Sequence, residues 1–118
     1  METASDLQKK HCVPCEGGEK PLDESKISEY LNVLPEWKAV PGPRLTRTLG
    51  FKDFKEAMEF VNRMAAIAEA EGHHPDFFVH WNEVKVELWT HATGGLHLND
   101  FILAAKIDGI EKPVAARS

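Results

Sequence analysis

No stretch of this chain stays apolar for anything near the roughly 20 residues that a bilayer-crossing helix requires, and its opening lacks the apolar segment of a secretion signal. Nor does that opening, with Glu2 and Asp6 and no Arg, have the basic character of an organellar presequence. A cytoplasmic protein without a membrane role is the expectation. Lys and Arg are scattered rather than gathered in a block, and the net charge is −5, which argues against nucleic acid as the main ligand because phosphate contacts need a clustered basic surface. Internal repeats and low-complexity linkers are also missing. With 118 residues, of which 42% are hydrophobic, the chain has apolar material for one compact core and hardly for two.

Cysteine is scarce. Cys12 and Cys15 form one Cys-x-x-Cys unit beside His11. A closed structural zinc site takes four ligands, and no second unit completes one. A redox pair would be expected at the start of a helix, whereas Pro14 and Gly17-Gly18 mark an irregular path. Residues 1–20 therefore read as a flexible arm and 21–118 as a single domain.

Within the domain, Asp23 caps a short helix whose apolar face is Ile27, Tyr30, Leu31 and Leu34, and Pro35 stops it. Trp37–Val40 and Arg44–Leu49 read as two strands around Pro41-Gly42-Pro43. From Asp53 to about Ala70, the positions Phe54, Ala57, Met58, Val61, Met64, Ala65 and Ala68 recur at helical steps, and Gly72 supplies the stop. At that spacing the stripe is a core face. Phe77, Val79 and Trp81 then alternate, as do Val84, Val86 and Leu88, which predicts a hairpin turning at Asn82-Glu83 with all six side chains on one buried face. That register pairs Trp81 with Val84, Val79 with Val86 and Phe77 with Leu88, and its extension sets His91 opposite His74. A last helix from about Leu98 to Ile110 buries Leu103, Ile107 and Ile110 and carries Asp100 in its first turn, where a carboxylate is favoured.

Chemistry concentrates at one end of this arrangement. His73, His74, His91 and Asp100 should meet there, and imidazole is the side chain whose proton affinity lies nearest neutral pH, so acid/base catalysis is the reading. Two others stand beside it: any single histidine can be a hydrogen-bonded structural residue, and three histidines with a carboxylate can bind zinc or a non-haem metal. The metal reading is resisted by His73 and His74 themselves, because the residue before Pro75 is extended and successive side chains on extended backbone point apart. Asp100 can orient a histidine or be an ordinary acid at a helix start. Trp37 can flank a flat ligand or belong to the core. His11, His80 and His97 read as surface residues.

Glu69, the His73-His74 pair, Pro75, Trp81, His91 and Asp100, together with Phe51-Lys52-Asp53-Phe54, Trp81-Asn82-Glu83-Val84, Thr90-His91 and Gly94-Gly95-Leu96, resemble the pterin-4a-carbinolamine dehydratase family over about residues 22–110. One position departs: His97 stands where the family often has Thr or Ser capping the last helix. The resemblance implies an α+β fold, a four-stranded antiparallel sheet with three helices packed on one face in the order helix-strand-strand-helix-strand-strand-helix, assembled as a homodimer or homotetramer. The exposed faces of Phe78 and Trp89 fit such self-association. It also implies loss of water from 4a-hydroxytetrahydropterin to give quinonoid dihydropterin, which recycles tetrahydrobiopterin for aromatic amino-acid hydroxylation without metal or other cofactor. His73 and His91 are then the proton-transfer candidates, His74 holds substrate and Asp100 orients a histidine. Pro75, Thr90, His91, Ala92 and Thr93 match substrate-contacting segments, with Trp37 as a flanking candidate. The alternative on the same fold is a protein-interaction module, a dimerisation cofactor or an assembly chaperone.

Overall fold

The computed structural model describes residues 2–13, 20–90 and 94–110. His91, Ala92, Thr93 and Cys15 lie outside the described residues. After a short helix α1 (Ala4–Lys9) come α2 (Glu24–Val33), β1 (Lys38–Val40), β2 (Arg44–Gly50), α3 (Phe54–Glu71), β3 (Asp76–His80), β4 (Glu83–Leu88) and α4 (Leu98–Asp108). The strands form one antiparallel sheet in the order β1-β2-β4-β3. This is the α+β architecture expected from the sequence. No helix among the described residues is long and apolar enough to cross a membrane.

Alternation along the strands decides which face is covered. Leu45, Leu49, Val84, Val86 and Leu88 are fully or almost fully buried, and with Phe60, Val61 and Met64 of α3 and Phe101, Ile102, Leu103, Ala105 and Ile107 of α4 they make one core. Burial of each large apolar side chain contributes about 1.5–3 kcal/mol, so this layer contact, rather than helix propensity, holds the helices to the sheet. Helix α3 starts where Asp53 accepts the Glu56 N–H and ends where Gly72 takes the left-handed conformation, φ 65°. Its periodic stripe is shifted from the one read in the sequence: Phe60 is in the core, while Phe54 projects into solvent.

The second hairpin turns one residue earlier than predicted. Val79 pairs with Val84 and Phe77 with Val86, so the turn is Trp81-Asn82. The slip is an even number of residues and leaves the strand faces unchanged, but it moves Trp81 to the tip, where it is exposed, and Phe77 to a half-open edge. Only Val84, Val86 and Leu88 of the six expected residues are deeply buried. The cause is tertiary: Asn82 accepts the Phe51 N–H at 2.7 Å and donates its own amide to the Phe51 carbonyl at 3.1 Å, which anchors the tip to the loop before α3. Trp81 adopts φ 52° to satisfy that anchor.

The first residues depart further from expectation. Thr3 and Asp6 form a reciprocal capping box, α1 follows, and Leu7 is completely buried against α4. A helix of six residues has no independent stability, so it is packing on α4 that orders this stretch of the arm.

Candidate active site

The end of α3 and the start of α4 bring the first functional side chains together. Beyond Gly72, the His73 N–H donates to the Ala68 carbonyl at 3.3 Å, which turns the chain out of the helix and toward α4. Asp100 occupies the third position of α4 and has no exposed surface. Its Oδ1 is 2.7 Å from His73 Nε2, and its Oδ2 accepts from the Thr90 hydroxyl at 2.8 Å and the His97 N–H at 3.0 Å. A buried carboxylate with three partners is fixed in place, and it fixes the His73 ring in turn.

His74 faces elsewhere. Its Nε2 lies 2.5 Å from Glu69 Oε2, with both side chains largely in solvent. Neighbouring imidazoles thus diverge on the extended backbone before Pro75, one anchored inside and one outside. Both line a cavity of about 640 Å³ together with Glu69, Thr90, Asn99 and, from the arm, Cys12 and Val13. Its size is that of an ordinary small-molecule site. Among the described residues no group of three or more His, Cys, Asp or Glu is arranged to hold a metal ion. What the arrangement offers is an imidazole able to exchange a proton with a bound molecule while a carboxylate fixes its other side.

Several expected site residues sit differently. Trp37 is buried, and its indole donates to Asp108 at 2.8 Å at the far end of α4, about 12 Å along the helix from Asp100. It is a core residue and not a wall of the cavity. Thr90 does line the cavity, but its hydroxyl is committed to Asp100. Pro75 lines a smaller adjoining apolar pocket with His74 and Phe77.

His97 is the residue that sequence reasoning undervalued. It is the N-cap of α4: its Nδ1 accepts the Asn99 N–H at 3.0 Å while its own N–H goes to Asp100. An imidazole here does what a Thr or Ser hydroxyl would do. The signal was the spacing of His97 and Asp100, which is that of a capping box.

Known proteins resemble this chain over nearly the same span. A family model described as pterin 4 alpha carbinolamine dehydratase matches residues 20–110. The chain belongs to that family. A relative from Chlorobaculum tepidum, provisionally named as a pterin-4-alpha-carbinolamine dehydratase, is 48% identical over 86% of this chain and 95% of its own. Another with the same provisional name, from Dechloromonas aromatica, is 45% identical over 92% and 96%. The crystal structure of a transcriptional coactivator/pterin dehydratase from Brucella melitensis matches with a TM-score of 0.73 at 37% identity, covering 76% of this chain and 97% of that one. A pterin dehydratase-like protein described as a RuBisCO assembly factor matches more distantly, with a TM-score of 0.51 at 26% identity over 62% and 83%.

Proposed function

We propose that this protein dehydrates 4a-hydroxytetrahydropterin to quinonoid dihydropterin by histidine acid/base catalysis, returning tetrahydrobiopterin to aromatic amino-acid hydroxylation in the cytoplasm. The observation that carries this reading is the His73 ring, locked 2.7 Å from a fully buried Asp100 at the edge of a ligand-sized cavity. Family membership supplies the substrate class.

The C4a–oxygen bond breaks as a proton reaches the departing hydroxyl, which leaves as water, while a ring nitrogen loses its proton and the double bond forms. No oxidation state changes, so the reaction requires neither nicotinamide nor flavin. His73 and His91 are the two proton carriers, His74 holds the pterin from the solvent side, and Asp100 is a positioning residue that keeps the His73 ring oriented. Ala92 and Thr93 contact substrate in this reading. The protein acts as a homo-oligomer, in which a second subunit covers the exposed Phe77 and Phe78 on edge strand β3.

The test is a stopped-flow assay that generates the carbinolamine in situ and follows its loss. His73→Ala and His91→Ala should each lower kcat by about 10²–10⁴-fold in protein that remains folded. Wild-type protein that fails to accelerate dehydration ends the reading, and wild-type kcat in both variants removes the assigned acid/base pair. A role purely in protein assembly would make no demand on the intact His73–Asp100–Thr90 chain.

A further inference from the structure

The arm is fastened to the two residues that immediately flank the site. Glu71 closes α3 two residues before His73, and Asn99 precedes Asp100. Glu71 accepts the Cys12 N–H at 2.7 Å through Oε1 and lies 2.9 Å from His11 Nδ1 through Oε2. Asn99 grips the next residue from both sides, accepting the Val13 N–H at 3.0 Å and donating to the Val13 carbonyl at 2.6 Å. Lys106 donates to the Gln8 carbonyl at 2.7 Å, and Leu7 is sunk in the core.

The Glu71 side chain is 7% exposed. Burial alone would push its carboxyl up, yet the Cys12 N–H, His11 and Lys106 together hold it below its ordinary value. Glu71 is therefore an ionised hook under the arm, and the segment it hooks faces the cavity. Cys12 presents a half-buried thiol there, which donates to the Asn99 carbonyl at 3.6 Å and is pushed up to about 12 by burial and by the nearby Glu71 charge, so at neutral pH it stands protonated and reacts slowly.

We propose that Cys12 and Val13 form a wall of the pterin site, with Glu71 and Asn99 as positioning residues that hold this wall in place and thereby set substrate affinity. The proposal rests on the dehydratase reading for the identity of the ligand, but the wall can be read without turnover. Such a wall bears on a flat heterocycle held in the cavity that His74 also lines, and it acts on binding more than on proton transfer.

Two measurements test it. In Cys15→Ser protein, iodoacetamide under alkaline conditions, where enough of the thiol is ionised to react, labels Cys12 alone; 7,8-dihydropterin at ten times its dissociation constant should slow that labelling about tenfold, since the free site is then scarce. An unchanged labelling rate with the probe bound overturns the wall. In steady-state kinetics, Glu71→Ala should raise KM roughly fivefold or more while kcat stays within about twofold, the effect of one net hydrogen bond lost from binding alone. Glu71→Gln should recover most of it, because an amide oxygen still accepts the Cys12 N–H. Asn99→Ala, which removes both side-chain bonds to Val13, should show the same split should Glu71→Ala not fold. An unchanged KM in these variants, or a fall in kcat at constant KM, overturns the positioning role. Absence of turnover in the wild type sinks the dehydratase reading instead, and the labelling result then stands by itself.

Discussion

The two ends of α4 each carry a buried or nearly buried aspartate on a short list of partners, and they do different things. At the N-terminal end, Asp100 lies where the helix field favours a negative charge and accepts from His97 N–H, the Thr90 hydroxyl and His73. At the C-terminal end, Asp108 is placed against the negative pole of the same helix and is held by Arg47 and by the Trp37 indole. Burial pushes the Asp108 carboxyl up despite the Trp37 hydrogen bond and the Arg47 charge. One carboxylate is paired with a ring that can gain and lose a proton near neutral pH; the other is paired with a guanidinium that cannot. Position in a helix and choice of cation separate a group equipped for chemistry from one that fastens a helix to a sheet.

Breaking each end in the same way sharpens this contrast. Asp100→Asn keeps the side-chain volume and can still meet Thr90, but it replaces the carboxylate that holds the His73 ring with a weaker amide acceptor. Turnover should fall by about 10²-fold or more while the far-UV spectrum stays native. A variant with kcat near wild type would mean that Asp100 does nothing for His73. The opposite end should answer in stability. Arg47→Met leaves Asp108 short of its cation, and truncating one member of a mostly buried pair costs about 3–5 kcal/mol, read as a lower urea midpoint at unchanged slope. Per folded molecule, kcat should be that of the wild type. A large loss of kcat in folded Arg47→Met protein would erase the distinction between the two ends.

What the sequence made legible follows the same division between local and distant. The α3 helix, its Asp53 cap and its Gly72 stop are signalled within a few residues of one another, and strand faces follow from alternation, so the sheet and the meeting of His73 with Asp100 were readable. The turn at Trp81-Asn82 was not, because the Asn82 bonds to Phe51 cross from one hairpin to another segment 31 residues away. Trp37 looked equally suited to a ligand or to the core; only its bond to Asp108 decides, over a separation of 71 residues. The arm is the extreme case. Polar residues with Gly and Pro describe a free segment until Glu71 and Asn99, 59 and 86 residues away, supply partners for its backbone. No periodic pattern encodes such contacts.

The finest test of the comparison lies at His97, which touches the active end of α4 without entering the cavity wall. Its Nδ1 accepts the Asn99 N–H, so a helix start that also positions Asp100 hangs on an imidazole nitrogen. Loss of a side-chain cap typically costs about 1 kcal/mol, so His97→Ala should lower stability by that amount, whereas His97→Ser, whose hydroxyl accepts the same N–H, should restore most of it. Because the His97 backbone N–H still reaches Asp100 in both variants, Asp100 keeps its place and kcat should change less than in Asp100→Asn. Equal stability of His97→Ala and His97→Ser would show that the ring contributes no cap. A loss of kcat in His97→Ala as large as that in Asp100→Asn would show instead that the cap belongs to the catalytic end and not merely to the helix.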